Sequence, residues 1–378
     1  MSNTVISVVS TLARCGPVNV VGEIVEHLER ERYRPVVITL SREGVSSRID
    51  DFRESGVPVM QLNMSRPSSF LVGWRKLKKQ IESIDASLVH CHGFRANHLV
   101  RSSGLTCPVV STIHSDLCSD YRLAYGSFAG NLMAHREYSA LRDVDAIVAV
   151  SPTVAERAAE FGLQTEVIPN GVDLAVYSRA ASQDESEGDR ERLGWPRDRI
   201  VVLHTGALVT CKQPLGVINA FRRSDLLGRA LLVFAGDGPL LAQCKGAAKG
   251  LENIVFLGHR ADLPILLRGA DAVVSNSTSE GLPMALLEAC ACGLRVLASD
   301  IGAHRYIARL FPEQVDLFPL DGGAALADRM NALGRSGRTD PIQPPARSLE
   351  TISAKRMTLQ YQKVYDRILS GPPAADLQ

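Results

Sequence analysis

Between Asp271 and Gly302 the chain reads DAVVSNSTSEGLPMALLEACACGLRVLASDIG, two short apolar runs, Asp271–Val274 and Leu294–Ser299, on either side of a helix-length segment, Met284–Cys292. Apolar runs of that length read as strands buried on both faces, and Pro283 and Gly293 stand where a helix starts and stops. Parallel strands joined through a helix are connected by a right-handed crossover, so this segment commits the fold to a parallel sheet covered by helices. Such sheets bind ligands off the carboxyl ends of their strands, which here means the loop carrying Glu280, Gly281, Leu282 and Pro283.

The same alternation runs through the rest of the chain. In the first half, Val5–Val9 reads as a strand, Ser10–Pro17 as a loop holding Gly16, and Val20–Glu31 as a helix with Val21, Ile24, Val25 and Leu28 inward. Pro35–Leu40, Ser87–Cys91, Val109–Ile113 and Asp145–Val150 read as further strands, ending in polar loops such as His90–Gly93 and His114–Asp116. In the second half Ile200–Thr205, Leu231–Ala235, Ile254–Leu257, Asp271–Val274 and Val296–Ala298 play that part. Between the halves, ASQDESEGDRER from Ala181 to Arg192 has no apolar period and reads as a linker. At 378 residues the chain exceeds the usual size of one core. The expectation is an α/β protein of two Rossmann-like, doubly wound domains facing across a cleft. They would span 1–180 and 191–352, with a helix and loose tail at 353–378 free to cross back to the first domain.

Lys and Arg total 42 against 41 Asp and Glu, a formal charge of +1, where a general nucleic-acid binder would need a clear basic excess. Small-molecule chemistry is therefore expected. No apolar stretch reaches the length of a bilayer span, and MSNTVISVVSTLA lacks a basic leader, which points to a cytoplasmic protein. The eight cysteines lie mostly in apolar segments without C-x-x-C spacing and are expected to be reduced. One helix, Phe70–Ile84, sets Trp74, Leu77, Ile81 and Ile84 against Arg75, Lys76, Lys78 and Lys79. It either packs on its own sheet or lies on an anionic lipid surface.

Backbone N–H groups at Gly281, Leu282 and the first turn after Pro283 make an anion site suited to a phosphate or diphosphate. Glu280 and Glu288 flank it, and carboxylates repel phosphate, so they would accept hydrogen bonds from hydroxyls on either side, as in the ribose and sugar of a nucleotide sugar. The alternative is that Glu280 caps the helix and Glu288 is a solvated helix residue. Gly16 either lets backbone approach a ligand or belongs to an ordinary turn. His90 and His92 have a spacing that could suit a metal, but Cys91 would point the other way on a strand and no carboxylate is near in sequence, which favours a structural or acceptor-lining role. Asp143-Val144-Asp145 enters a strand at its amino end, away from ligands, and argues poorly for a metal.

In order along the chain, Gly16-Pro17-Val18-Asn19, Val89-His90-Cys91-His92-Gly93, Thr112-Ile113-His114, Asn170-Gly171-Val172-Asp173, and His204-Thr205-Gly206-Ala207-Leu208 with Lys212 resemble the signatures of the family-4 retaining glycosyltransferases of GT-B architecture. So do Phe234 through Pro239, Val255 through Arg260 with Asp262, Ser275 through Gly281, and Glu288 with Gly293. The resemblance implies that Glu280 holds the donor sugar's hydroxyls, Glu288 the nucleotide ribose and Lys212 the phosphates. It places His114 near the reacting sugar, so that His114, Lys212 and Glu280 are the expected catalytic residues. Donor binding would extend to Gly16, Gly206, Gly238, Leu257, Arg260, Gly281, Leu282 and Pro283, and acceptor binding to His90, His92 and Arg95. No metal or other cofactor is implied; a lysine and backbone N–H groups would neutralise the departing diphosphate. The implied activity is transfer of a sugar from a UDP-sugar or GDP-sugar to a saccharide or lipid-linked acceptor, with retention. Its setting would be surface polysaccharide or lipopolysaccharide assembly at the inner membrane face. Two departures stand out. Ala207 replaces an arginine whose phosphate contact is worth roughly 1.5–3 kcal/mol, with Arg260 or Arg305 as candidates to compensate. Tyr306, after His304 and Arg305, stands near the place of a glutamate. Ala207 and Tyr306 motivate one alternative, a nucleotide-sugar-binding protein without transfer; another double-Rossmann chemistry, a nucleotide-sugar epimerase or a phosphorylase, is the alternative among enzymes.

Overall fold

The computed structural model describes residues 2–65, 72–338 and 340–371. The chain divides into two compact units, Met1–Gly171 with Ile352–Gln378, and Val172–Thr351. The division therefore falls at 171/172 instead of within 181–190, and the C-terminal helix belongs to the first unit.

In the first unit the chain runs β1 (Asn3–Val9), α1 (Gly16–His27), β2 (Tyr33–Thr39), α2 (Ile49–Glu54), β3 (Val59–Gln61), α3 (Trp74–Ile84), β4 (Leu88–His92), α4 (Phe94–Ser103), β5 (Val109–Ile113), α5 (Leu117–Ala140), β6 (Ala146–Ala149), α6 (Pro152–Ala159) and β7 (Glu166–Val167). The strands form one parallel sheet in the order β3-β2-β1-β4-β5-β6-β7. Helix α1 starts earlier than the apolar period suggested, because Pro17 presets the first turn. Strand β4 runs through His92, so the His-Cys-His stretch is strand and not loop. Cys91 joins the core on one face while both histidines turn to the other. Helix α3 buries Leu77 and Ile81 in its own sheet's core, with Trp74 and Ile84 against it; Phe70, where the expected helix begins, lies outside the described residues.

The second unit follows as α7 (Gln183–Arg192), β8 (Ile200–Thr205), α8 (Pro214–Arg223), β9 (Ala230–Ala235), α9 (Leu241–Ala247), β10 (Ile254–Gly258), α10 (Leu263–Gly269), β11 (Ala272–Ser275), α11 (Met284–Ala291), β12 (Arg295–Ser299), α12 (Gly302–Leu310), β13 (Val315–Phe318), α13 (Ala324–Ser336) and α14 (Ala346–Thr351). Its parallel sheet has the order β10-β9-β8-β11-β12-β13. The segment expected to be a linker is helix α7. Ser182 caps it, and the buried side chain of Arg190 donates to the carbonyls of Pro196 and Arg199 and to Asp271, which in turn accepts from Val201 N–H at 2.7 Å. Buried Asp189 holds Arg268 at 2.7 Å. This helix is anchored by ion pairs that no apolar period announces.

Helix α15 (Ala354–Leu369) completes the first unit by packing on α1. A Cβ on Gly171 would come within 2.6 Å of Ala354 Cα, so glycine is required where the chain passes under this helix. Among the described residues no helix is long and apolar enough to cross a membrane.

Candidate active site

In each sheet the strand order reverses once, between β1 and β4 and between β8 and β11, and ligands of doubly wound sheets gather at the carboxyl ends of such pairs. In the second unit this brings the loop after β8 beside the loop after β11. Thr278 N–H donates to the Cys211 carbonyl at 2.7 Å and ties the two loops together. Lys212 Nζ then donates to Glu280 Oε1 at 2.6 Å, and Ser277 Oγ donates to the same oxygen at 2.8 Å. Lys212 closes a single 3-10 turn, Thr210–Lys212, and Gln213 after it is held left-handed at φ 44°, an uncommon conformation for a residue with a side chain. The lysine's stem lies along Gly206, which has φ 126°. A Cβ on Gly236 would fall 1.9 Å from the Gly206 carbonyl oxygen, and one on Gly238 would fall 2.6 Å from that of Leu208. These glycines let the backbone fold tightly under the corner.

The Lys212 and Glu280 side chains are 21% and 15% exposed. Burial by itself would raise the Glu280 carboxyl, but the charge and hydrogen bond of Lys212, with Ser277, outweigh it and hold the group below its ordinary range. Buried His304 donates from Nδ1 to the Ser299 carbonyl at 2.7 Å, and its ring is pushed down to about 4 by burial. His204, also buried, bonds the Val274 carbonyl and falls likewise to about 4. The corner therefore holds one ammonium, one carboxylate and neutral imidazoles.

Helix α11 starts at Met284 with Pro283 as its N-cap residue, and no described side chain caps it. Gly281 and Leu282 are buried in the loop that leads into this helix, whose first residues are Met284 and Ala285. Glu288 is 3% exposed, not a solvated helix residue, and it accepts from the Tyr177 hydroxyl. Burial raises its carboxyl to about 7. Leu257 sits where the β9–β10 ladder slips between Phe256 and Gly258, leaving its backbone outside the pairing. Arg260 is forked onto Asp262, and Arg305 onto Asp300 at 2.5 and 2.9 Å, so each candidate to replace the missing arginine already holds a carboxylate. His304, Arg305 and Tyr306 lie in helix α12.

In the first unit His114 follows β5, and its Nε2 lies 2.9 Å from His92 Nδ1. His90 is fully buried between the Tyr365 hydroxyl, at 2.7 Å, and Thr112 Oγ1, at 2.8 Å. It has no surface to offer an acceptor, and its assignment to acceptor binding is corrected to a structural one. Arg95 Nη1 donates to Ser41 Oγ at 2.6 Å. Gly16 opens α1, whose start no described side chain caps. Asp143 pairs with Arg101 at 2.6 Å and Asp145 accepts from Val109 N–H at 2.7 Å, so both acids have structural partners. Sequence reasoning missed Ser277 and Tyr177, whose hydroxyls reach the two glutamates; nothing in their spacing signals it.

A charged corner at the switch point of one of two parallel-sheet units is the layout of a GT-B glycosyltransferase, and solved structures of that class overlay on nearly the whole chain. Sucrose-phosphate synthase from Thermosynechococcus elongatus does so with TM-score 0.81 and 18% identity over 98% of this chain and 100% of that one. Anabaena HepE in complex with UDP-glucose does so with TM-score 0.79 and 19% identity over 96% and 99%. At such identities the likeness is one of fold. Residues 15–176 match the model described as Glycosyltransferase Family 4 and residues 185–314 the one described as Glycosyl transferases group 1. The chain belongs to this family of glycosyltransferases. It is similar to the UDP-Gal:alpha-D-GlcNAc-diphosphoundecaprenol alpha-1,3-galactosyltransferase of Escherichia coli, 27% identical over 69% of each chain. It is also similar to the alpha-monoglucosyldiacylglycerol synthase of Streptococcus pneumoniae, 26% identical over 72% of this chain and 65% of that one. The chain thus spans about two thirds of the length of these two relatives.

Proposed function

We propose that the chain transfers a sugar from a nucleoside-diphosphate donor to a hydroxyl of a saccharide or lipid-linked acceptor, retaining the anomeric configuration and needing no metal ion. The observation that carries this reading is the Lys212–Glu280 pair beside the uncapped start of α11. A diphosphate arriving there takes the ammonium and the helix-start N–H groups, and the released Glu280 carboxylate accepts from the sugar's hydroxyls. The bond from the anomeric carbon to the diphosphate oxygen breaks with its electron pair going to the diphosphate. The acceptor oxygen bonds to that carbon on the same face, and its proton passes to the departing diphosphate. Preorganised positive charge where the negative charge develops supplies the main acceleration. The ribose would displace Tyr177 from Glu288, the unpaired backbone at Leu257 would hold the base, and His114 would meet the sugar. Metal independence is supported by the structural occupation of Asp143 and Asp145.

A lipid-linked acceptor is supported by one relative named for a diphosphoundecaprenol-linked substrate and another named as a monoglucosyldiacylglycerol synthase, and it suggests surface-glycan assembly as the setting. Contact with the inner membrane face fits the first unit, where α3, α4 and α5 lie side by side and carry eight basic against three acidic residues. At the kink of α5, Leu123, Tyr125, Phe128 and Leu132 are at least half exposed. Sedimentation with vesicles containing phosphatidylglycerol checks this; binding unchanged in Phe128→Asp and in Lys78→Glu/Lys79→Glu would refute it.

The test of the function is a transfer assay with UDP and GDP sugars, after a thermal-shift screen selects the donor. Glu280→Gln and Lys212→Met are expected to lower turnover at least ~100-fold. Undiminished turnover in both sinks the assignment. Exposed Ala207, with Arg260 and Arg305 committed to carboxylates, favours one other reading, nucleotide-sugar binding without transfer. Calorimetric binding without product across acceptors would establish that reading instead.

A further inference from the structure

His114 makes one hydrogen bond to a described residue, through Nε2 to His92 Nδ1, with ring centroids 5.2 Å apart. His92 is 5% exposed, and its other nitrogen, Nε2, is buried with no hydrogen-bond partner among the described residues. Burial and the neighbouring imidazoles hold His92 well below its ordinary range, and burial lowers His114 to about 4, so both rings are neutral near pH 7. Each neutral ring carries one N–H, and the contact between them needs one donor and one acceptor. Were His114 the donor, the His92 proton would sit on Nε2 as a buried N–H without an acceptor, the rarer and costlier kind of orphan. With His92 donating from Nδ1, the buried Nε2 is only a bare lone pair, and His114 must carry its proton on Nδ1, the nitrogen that His92 does not engage.

We propose that His92 is a positioning residue that locks His114 as the Nδ1–H tautomer, so that His114 meets the transferred sugar as a hydrogen-bond donor to an oxygen and not as a base. The lock has a backing. The His90 ring lies against that of His92, centroids 4.0 Å apart, and is itself fixed by Tyr365 and Thr112, while Thr112 also bonds Tyr361. Two tyrosines of the C-terminal helix thus hold, through His90, the ring that sets the tautomer of His114. The functional half of this inference rests on the reading that His114 contacts the sugar. The tautomer itself does not.

The first experiment is nitrogen-15 NMR of the imidazoles in the full, ligand-free chain between pH 6 and 8. The expected result is a protonated Nδ1 and bare Nε2 on His114, without titration in that range; a protonated Nε2 overturns the proposal. The second compares substitutions. Asn at 92 places an amide N–H near the position of Nδ1 and Gln places one near Nε2, so His92→Asn should retain the tautomer and most turnover. His92→Gln and His92→Phe should lose kcat ~10–100-fold, as removal of an orienting partner of a functional histidine does, with the donor KM within about threefold. Melting curves identify any variant that fails to fold, and the Asn and Gln pair, similar in polarity, keeps the comparison informative. Equal activity of those two overturns the positioning role. Full turnover in His114→Ala would instead remove the contact with the sugar, leaving the tautomer to be judged by NMR alone.

Discussion

Replacing Glu288 by glutamine tests how far burial governs the second unit. The Glu288 carboxyl is raised by burial from 4.5 to about 7, with the Tyr177 hydroxyl opposing the shift only in part. In the unfolded chain it titrates near its ordinary value. Between pH 4.5 and about 7 the folded state therefore keeps a proton that the unfolded state has released, and stability must fall as pH rises. The slope is roughly 1.4 kcal/mol per pH unit, so the total is about 3 kcal/mol by pH 8. Below pH 4.5 the group contributes no pH dependence, and above about pH 8 the loss is complete. Glu288→Gln keeps the shape and removes the titration. Urea unfolding of both proteins from pH 4 to pH 8.5, in a Trp74→Phe background, lets fluorescence follow Trp195, the other of the two tryptophans, buried in the second unit. The stability of Glu288→Gln relative to the parent should climb by about 3 kcal/mol across that range. A difference that stays constant with pH would refute the burial argument. Since ribose hydroxyls donate better to an ionised carboxylate, donor affinity should also rise between pH 6 and pH 8 in the parent and stay level in the variant.

Four further outcomes follow from the geometry. Lys212→Met should weaken binding of nucleoside diphosphates about 10- to 150-fold by calorimetry, the loss of one charge-assisted contact of roughly 1.5–3 kcal/mol. Because Glu280 is held below its ordinary range, its pairing contributes stability that is present above pH 4.5 and lost as pH falls through the folded value; Lys212→Met should abolish that acid-side loss in denaturation curves. Gly236→Ala, whose Cβ would overlap the Gly206 carbonyl, should cost about 3 kcal/mol in urea unfolding of the second unit, while Gly188→Ala, inside helix α7 with nothing within 4 Å of its Cβ, should stabilise that unit by up to about 1 kcal/mol. Tyr365→Phe leaves the buried Nδ1 of His90 without its partner and should lower the stability of the first unit by roughly 1–3 kcal/mol, read by fluorescence of Trp74 in a Trp195→Phe background.

The strands and most helices could be read from the residues themselves, because an apolar run fixes a buried strand and Pro and Gly fix where a helix begins and ends. Val5–Val9, Val109–Ile113, Ile200–Thr205 and Asp271–Val274 were legible in this way to within a residue or two. Glu280 and Glu288 stood out by their place around a helix start, whereas Lys212 was singled out by the family resemblance alone. Strands β3, β7 and β13 were not, being short or lying where the apolar pattern is weak, and helix α7 was hidden because charged pairs anchor it.

What a side chain does in the site was decided elsewhere. Lys212 and Glu280 are 68 residues apart, and they meet because the strand order reverses between β8 and β11. His90 was lost as a contact for an acceptor because a tyrosine 275 residues later closes over it. Tyr177 reaches Glu288, and Ser277 reaches Glu280, only once the loops are folded. Periodicity and caps are properties of a few neighbouring residues and are written in the sequence. Burial, protonation and pairing depend on which distant segments the sheet order brings alongside, and only the folded chain sets them.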